Sequence, residues 1–441
     1  MRKKLTFKIN NPKDFKTKFI FWSAKYKYIS ILDSNDYYKN YKSDFSYNTY
    51  DFIAGTGKIS AFVNNKNTFD KLNKYKNKTK DWLFGYFAYD LKNKIENLES
   101  NNIDNLNFND ILFFQPEFVF ILKQNTLEIH YLPNKTNKNT ITDIFNKITN
   151  QKTNNKLTKL NIDIKQRVTK NNYIKTINKL KKHIKKGDIY EINYCIEFYD
   201  NKSKINPYKT YNHLITKSPT PFSAFLKIGS RFLISASPER FIKKQKNKII
   251  SQPIKGTIKK TDNQQQNNKL KKQLYNDEKE RSENVMIVDL VRNDLSITAK
   301  KASVKVEELF GIYEFPQVFQ MISTVVSEKS DKFTSVDVIK NAFPMGSMTG
   351  APKIKAMELI EKYETTKRGL YSGAVGYFSP NDNFDFNVVI RSILYNRKNK
   401  YLSFIVGGAI TDKSIPENEY NECLLKAKAI FEVLNIQKSD S

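Results

Sequence analysis

The chain has very few of the residues that build disulfide scaffolds, zinc sites and cysteine-dependent active sites. Its 441 residues include two cysteines and three histidines. The cysteines, Cys195 and Cys423, form no CxxC pattern, and the histidines form no cluster with them. The sequence therefore excludes a disulfide framework and a zinc site, and it favours a reducing compartment.

Long apolar runs are also missing. No stretch of about 18 apolar residues is present, so the sequence predicts no membrane-spanning helix. The basic N-terminus is not followed by the apolar core of about 7–15 residues that a secretory signal needs. We therefore expect a cytoplasmic protein. The 39% of hydrophobic and 13% of aromatic residues are enough for a large core or for two or three domains.

Acidic residues are scarce relative to basic ones. The chain has 75 Lys and Arg against 45 Asp and Glu, a formal net charge of +30. Such a charge is one property of nucleic-acid-binding proteins. Here, however, the excess is mainly lysine, spread along the chain and interleaved with asparagine, without an arginine-rich arm. We expect nucleic acid not to be the main partner, and nucleic-acid binding stays a remote alternative.

The pattern of predicted elements divides the chain into three parts. Residues 1–132 contain dense aromatic strands and form a predicted N-terminal subdomain. Residues 133–166 are rich in Asn, Lys and Thr, with one weak helical pattern, and are typical of a polar linker or crossover. Residues 167–441 form a predicted catalytic domain. Its predicted helices are 171–186, 262–274, 276–295, 335–342, 352–363 and 417–434, and its predicted strands are 189–198, 222–228, 231–236, 248–252, 371–378, 385–395 and 401–406.

The pentapeptide Pro-Ile-Lys-Gly-Thr at 253–257 is the first candidate for chemistry. Lys255 stands between an apolar residue and a glycine, after a strand-like run. A second strand leads to Glu239, and two adjacent strands would bring this lysine and this glutamate to one face. A lysine with a lowered pKa can act as a nucleophile, and a neighbouring glutamate can act as general acid or base. A surface lysine on an edge strand is the alternative.

Carboxylates on two predicted helices are candidates for a metal site. Glu283 begins an otherwise apolar helix face, and Glu422 shares a face of the last helix with Glu419 and Lys426. A carboxylate among apolar residues needs a cation. Two carboxylates without His or Cys suit Mg²⁺ that is also held by substrate oxygens. Because Glu422 and Lys426 are four residues apart, ordinary ion pairs on helix surfaces are the alternative.

Glycine-containing turns and one arginine are candidates for anion binding. The segment 346–353 leads into a helix, whose N-terminal N–H groups can face an anion. Gly407 and Gly408 follow a strand and would let the backbone approach a ligand. Arg391, in the predicted apolar strand 385–395, is expected to meet a carboxylate of a substrate or of the protein itself. Plain turns and a structural ion pair are the alternatives.

Taken in order, these motifs resemble those of the chorismate-utilising enzymes. The motifs are SPERF, PIKGT, ENVMIVDLVRNDL, FPMGSMTGAPKIKAME, GAVGYF, VVIRSIL and GGAITD followed by NECLLKA. They cover residues 167–436 densely, and the resemblance extends weakly toward the N-terminus. It implies an α+β fold in which two mainly antiparallel β-sheets pack face to face, with helices outside and the active site in a cleft.

Within that family, a lysine in PIKGT is typical of the branch that makes 4-amino-4-deoxychorismate for para-aminobenzoate and folate, whereas anthranilate synthases have alanine. The resemblance implies that Lys255 attacks C2 of chorismate and expels the C4 hydroxyl, with Glu239 as general acid-base. Ammonia then adds at C4. We expect burial to lower the pKa of Lys255 and Glu239 to carry its proton. Anthranilate synthase component I is the alternative.

The resemblance also assigns the binding residues. Glu283 and Glu422 are expected to hold Mg²⁺ on the ring carboxylate. The residues expected to bind substrate are Arg391, Lys426, Thr349 and the amides of Gly407 and Gly408.

One residue departs from the family pattern. Relatives that activate water have a lysine on the strand after the Gly187-Asp188 turn, and those that use ammonia commonly have glutamine. This chain has Glu191, which argues against a water nucleophile and is expected either to hold ammonium or to reshape the pocket. No Cys-His-Glu set of a glutaminase is visible. Ammonia must therefore come from solution or from a separate amidotransferase subunit.

Overall fold

The computed structural model describes residues 1–37, 47, 50–63, 67–156, 162–315 and 317–435. Its helices are α1 (Pro12–Ser23), α2 (Thr68–Thr79), α3 (Lys138–Thr149), α4 (Lys170–Lys185), α5 (Pro207–Lys217), α6 (Gln264–Asn276), α7 (Glu278–Ser296), α8 (Ser335–Ala342), α9 (Lys353–Tyr363) and α10 (Pro416–Val433). Its strands are β1 (Lys3–Lys8), β2 (Tyr28–Asp33), β3 (Phe52–Thr56), β4 (Ser60–Val63), β5 (Leu83–Phe87), β6 (Ile111–Gln115), β7 (Phe118–Lys123), β8 (Thr126–Tyr131), β9 (Lys165–Gln166), β10 (Glu191–Asp200), β11 (Phe222–Ile228), β12 (Arg231–Ser237), β13 (Arg240–Gln245), β14 (Lys248–Gln252), β15 (Ile254–Lys259), β16 (Lys305–Glu314), β17 (Val318–Glu328), β18 (Gly350–Ala351), β19 (Ala374–Phe378), β20 (Phe384–Val388), β21 (Ser392–Asn396) and β22 (Tyr401–Ile410).

The strands form two antiparallel sheets. Sheet A has the order β1-β8-β7-β3-β2-β11-β12-β21-β22-β10-β18, with β9 beside β10. Sheet B has the order β15-β17-β14-β13-β20-β19-β5-β6-β4, with β16 beside β17. The predicted α+β class with two mainly antiparallel sheets is confirmed.

Two apolar cores form because strands of sheet A are buried on both faces. On β7, Val119 and Ile121 pack with residues of sheet B, whereas Phe118, Phe120 and Leu122 pack with the helices on the other side. Side chains that alternate along a strand point to opposite faces, so one apolar run contributes to both cores. The core between the sheets fixes their separation and thereby the width of any cleft at their edges.

Both sheets contain strands from either side of the polar stretch 133–166. That stretch itself includes α3, where Ile141, Ile144 and Ile148 are buried. The Asn137 side chain accepts a hydrogen bond from the Thr140 N–H and so caps the helix. The weak helical pattern in the sequence therefore corresponds to a packed helix. The three-part division at 133 and 167 stays a prediction.

The predicted strand 385–395 is wrong in one respect. The structure has two strands there, β20 in sheet B and β21 in sheet A, joined by residues 389–391. Arg391 adopts a left-handed φ of 50°, which ends the extended conformation. The apolar pattern is continuous because both strands are buried, although they belong to different sheets.

None of the helices in the described part of the chain is both long enough and apolar enough to cross a membrane.

Phe120 offers a test of the outer core. Its side chain is fully buried, with ring centroids 4.7 Å from Phe19 and 5.6 Å from Trp22. Phe120→Ala should lower the free energy of unfolding by about 3–5 kcal/mol, because it removes a large buried ring and leaves a cavity. Urea denaturation measures the change. Lys123→Ala, at the exposed end of the same strand, is the control and should stay within about 0.5 kcal/mol. A similar loss in both variants would contradict this packing.

Candidate active site

A buried ion pair joins the two sheets at their edges. Lys255 lies on β15, at one end of sheet B, and Glu191 is the first residue of β10, next to the end of sheet A. Lys255 Nζ donates to Glu191 Oε1 at 2.6 Å, and the two side chains are 11% and 1% exposed. Lys255 therefore stands on an edge strand, as the sequence pattern suggested, but it faces a closed interior instead of solvent.

Burial acts on the pKa of Lys255 in the expected direction, but it does not decide the outcome. Burial does act to lower the pKa of Lys255, but the charges of Glu191, Glu283 and Glu280 and the hydrogen bond to Glu191 outweigh it, and the pKa is raised above its ordinary value. Lys255 is therefore an ammonium in the free protein. Its nearest proton acceptor is Glu191, where sequence reasoning expected Glu239.

Glu239 lies in the connection between β12 and β13 and is 6% exposed. The Ser347 hydroxyl donates to Glu239 Oε1 at 2.7 Å. Burial raises the pKa of Glu239 to about 7, against the opposing effects of Ser347 and of the charges of Lys255, Arg391 and Lys426. A carboxyl group with this pKa can both donate and accept a proton at neutral pH. Sequence reasoning missed Ser347, although it stands inside the quoted motif at 346–353.

Arg391 is a half-buried cation beside Glu239. Among the described residues, its guanidinium has no hydrogen-bond or ion-pair partner. Burial lowers the pKa of Arg391, and the charge of Glu239 partly opposes this effect. A cation held in this way is suited to an incoming anion, because such a ligand would compensate for its lost hydration.

Glu283 carries an unsatisfied carboxylate oxygen. Glu283 on α7 is 9% exposed, and its buried Oε1 has no hydrogen-bond partner among the described residues. Lys279 Nζ lies 3.8 Å from this oxygen. Burial raises the pKa of Glu283 to about 7, while the charge of Lys255 lowers it and that of Glu191 raises it.

Glu422 on α10 is influenced by the same two lysines as Glu283, namely Lys255 and Lys279. Its carboxylate accepts from Lys426 at 2.8 Å, and Lys426 also donates to the Gly407 carbonyl at 2.9 Å. Burial acts to raise the pKa of Glu422, but Lys426, Lys279 and Lys255 lower it overall. The fold therefore brings together both predicted metal ligands around two shared lysines.

The carboxylates offer part of a metal site. Within the described ranges, no three His, Cys, Asp or Glu side chains come together as a metal-binding group. Glu283 and Glu422 fit a Mg²⁺ ion that takes its other ligands from substrate and water, and Glu283 Oε1, which accepts no hydrogen bond among the described residues, is a suitable donor. Magnesium stays a prediction.

Gly407, Gly408 and Thr349 are the other residues that the sequence predicted to bind substrate. Gly407 allows close strand packing, since a Cβ there would lie 2.4 Å from Cys195 Sγ, and a Cβ on Gly408 would lie 3.3 Å from Glu419 Oε2. Thr349 is fully buried, and its hydroxyl lies 3.3 Å from the carbonyl oxygens of Met345 and Gly346. Its side chain therefore stabilises the turn, and its expected role in substrate binding stays a prediction.

Comparison with known proteins gives the family. The family model described as "chorismate binding enzyme" matches residues 17–432 of the sequence. This chain belongs to that family. As a chorismate-binding enzyme it is 32% identical to "Anthranilate synthase component 1" of Aquifex aeolicus over 376 residues, which are 80% of this chain and 74% of that protein.

Two further relatives carry the names of two different synthases. It is 40% identical over 269 residues to the "Probable aminodeoxychorismate synthase, chloroplastic" of rice, covering 60% of this chain but 30% of the rice protein. The structure of anthranilate synthase component I from Streptococcus pneumoniae superposes with a TM-score of 0.70 and 26% identity, covering 78% of this chain and 79% of that one. The relatives thus include proteins named aminodeoxychorismate synthase and anthranilate synthase, and the structure of one of the latter superposes with this fold.

Replacing Glu191 tests the electrostatics of the ion pair. Glu191→Gln should lower the pKa of Lys255, because it removes the nearest of the negative charges that raise it while keeping an acceptor of the same shape. The lysine would then become neutral at a lower pH. Acetic anhydride labelling of Lys255 as a function of pH, followed by mass spectrometry, measures this pKa.

The matched control is Glu314→Gln. Glu314 accepts from Lys260 at 2.5 Å, just beyond the end of β15. Its replacement should leave the labelling curve of Lys255 unchanged. An unchanged curve in Glu191→Gln would show that the pair does not set the state of Lys255.

Proposed function

We propose that this enzyme is the chorismate-aminating component of an aminodeoxychorismate synthase, a transferase that converts chorismate and ammonia into 4-amino-4-deoxychorismate. The observation that supports this activity is Lys255, buried at the edges of the two sheets with Glu191 as its hydrogen-bond partner and the charge of Glu239 nearby. A side chain that could attack carbon is thereby placed with two groups that exchange protons.

The reaction begins with the deprotonation of Lys255. Its Nζ passes a proton to Glu191 Oε1 and the neutral amine forms a bond to C2 of chorismate. The ring double bonds shift, the C4–O bond breaks, and Glu239 supplies the proton with which the hydroxyl leaves as water. Ammonia then forms a bond to C4, the C2–N bond breaks, and Lys255 is released as the ring double bonds return.

Charge arrangement supports binding of a dianionic substrate. Arg391 and Lys426 provide cations near Glu239, and Gly408 lies on the strand that faces α10. Glu283 and Glu422 would hold Mg²⁺. Bound there, the metal would neutralise a substrate carboxylate and polarise the ring.

We also propose that a separate glutamine amidotransferase subunit supplies the ammonia to this cytoplasmic enzyme. Burial raises the pKa of Cys195 to about 12 and that of Cys423 to about 11, so neither thiol is an activated nucleophile. The matched Aquifex protein is named as a component 1, which is consistent with a second component.

Anthranilate synthase component I is the second candidate. The Aquifex anthranilate synthase aligns with 80% of this chain, whereas the rice aminodeoxychorismate synthase aligns with 60%. Lys255 favours the first candidate, because the resemblance places alanine at this position in anthranilate synthases.

An assay of the purified protein separates the candidates. Incubation with chorismate, Mg²⁺ and ammonium should yield a product that becomes 4-aminobenzoate only when aminodeoxychorismate lyase is added. Chromatography with fluorescence detection measures both possible products. Pyruvate together with fluorescent anthranilate, formed without the lyase, would contradict the proposal and support the second candidate. Salt-sensitive binding of nucleic acid without turnover of chorismate would contradict both.

Lys255→Ala tests the covalent route. We expect this variant to lose most of its aminodeoxychorismate formation, and any residual amination to shift to C2, because the vacated space resembles the alanine-bearing relatives. Mass spectrometry of the wild-type protein during turnover should detect a chorismate-derived adduct on Lys255. Undiminished product from the variant would leave Lys255 as a binding or structural residue.

Glu283→Ala and Glu422→Ala test the metal ligands. Each should abolish Mg²⁺-dependent turnover and weaken Mg²⁺ binding measured by calorimetry, because each removes one of two protein ligands. Circular dichroism checks that the fold is retained. Asp289→Asn on α7, where the side chain is 61% exposed, is the control. Full activity in either alanine variant would remove that residue from the site.

A further inference from the structure

A small cavity lies between Glu239 and α7. Its volume is about 20 Å³, and Glu239, Ser347, Ser251 and Asp294 line it together with apolar side chains such as Val291. A cavity needs about 10–15 Å³ and two to four polar partners to hold a water molecule. The volume is sufficient, and four of the lining residues carry polar side chains, so the cavity is suited to water beside Glu239.

Asp294 is the one other ionisable residue that lines this cavity in the described part of the chain. It lies on α7, is 7% exposed, and accepts a hydrogen bond of 2.6 Å from Lys353 Nζ at the start of α9. Burial raises the pKa of Asp294 to about 6, and Lys353 opposes this effect. The substrate reactions proposed above do not use this buried carboxylate, although a buried charge is costly to maintain.

Glu239 needs a route for its proton. It is 6% exposed, and it must be protonated again after each turnover in which it protonates the leaving hydroxyl. Substrate bound beside Glu239 would cover part of its carboxyl group. The cavity connects Glu239 with Asp294, whose partner Lys353 has a side chain that is 14% exposed.

We propose that water in this cavity and Asp294 form the route by which Glu239 exchanges its proton with solvent. This inference rests on the proposed role of Glu239 as general acid. In one transfer, water gives a proton to the Glu239 carboxylate and takes one from the Asp294 carboxyl group. Asp294 then recovers a proton from bulk water beside Lys353, and the reverse sequence removes a proton. Asp294 acts through Glu239 and does not contact the reacting atoms.

Different charged groups surround the carboxyl groups of Glu239 and Asp294. The charges that act on Glu239 include those of Lys255 on β15, of Arg391 between β20 and β21, and of Lys426 on α10. The charge that acts on Asp294 is that of Lys353 on α9. Asp294→Asn therefore leaves the cations of the cleft in place. The amide keeps an acceptor for Lys353, but it cannot give up and recover a proton near neutral pH as a carboxyl group does.

Three variants test the route during turnover of chorismate with ammonium. Asp294→Asn should lower kcat about tenfold or more while leaving KM for chorismate within about twofold, because proton exchange limits turnover but substrate contacts are unchanged. Val291→Ile, which adds one methylene to the cavity wall and expels water, should lower kcat in the same way. Asp289→Asn, an exposed change on the same helix, should keep wild-type kinetics.

Rescue by small acids separates proton exchange from a structural role. Raising the concentration of imidazole or acetic acid at constant pH should restore part of kcat in Asp294→Asn and leave wild type unchanged. Loss of kcat without rescue, with normal activity of Val291→Ile, would assign Asp294 a structural role and overturn the proposal. Wild-type kcat in Asp294→Asn would overturn it as well.

A measurement without turnover keeps this inference separate from the proposed function. Infrared spectra of protein labelled with ¹³C-glutamate, recorded after a pH jump, follow the protonation of Glu239, with Glu239→Gln identifying its band. Protonation should be slower in Asp294→Asn than in wild type. Equal rates would overturn the route, whereas an absence of chorismate amination by wild type would overturn only the proposed function.

Discussion

The buried ion pair between Lys255 and Glu191 is the interaction on which the rest of the site depends. It joins the edges of two sheets whose facing surfaces pack largely through apolar side chains, and both side chains of the pair are largely removed from solvent. Removing one partner of a buried pair typically costs about 3–5 kcal/mol, because the other charge is left without compensation. The pair therefore stabilises the cleft, and it also holds its lysine in the charged form that cannot attack carbon.

The surrounding charges are divided between two sides of the cleft. Glu280 and Glu283 on α7 and Glu419 and Glu422 on α10 raise the pKa of Lys279, so these carboxylates form an acidic region. Arg391 faces Glu239 from the crossing between the sheets. A negative ligand entering between these regions would change the balance at every titrating group, and its charge would favour the protonated forms of Lys255 and Glu239.

The turn at 346–353 is hydrogen-bonded both to Glu239 and to strand β10. Ser347 holds Glu239 by a hydrogen bond, and the Thr349 carbonyl accepts from the Asn193 N–H on β10. Arg368, which is 2% exposed, donates to the carbonyls of Met348 and Asn193 and fixes the same turn to the same strand. Glu239 and the strand that carries Glu191 are therefore positioned by one buried network, and a change in either element would move both.

The sequence by itself determined the class of the fold, because alternating and continuous apolar runs specify strands wherever their neighbours bury them. It also determined the residue types of the site, since Lys255, Glu239, Glu283 and Glu422 all stand in motifs of recognisable order. Only the tertiary structure decided that Lys255 is paired with Glu191, 64 residues away, and that its pKa is raised. It likewise decided that Arg391 lies outside a strand, that Ser347 donates a hydrogen bond to Glu239, and that Asp294 lines the same cavity as Glu239. The physical reason is that burial and charge act through space: a local pattern names the ionisable groups, but their protonation depends on which distant carboxylates the folded chain brings within a few ångströms.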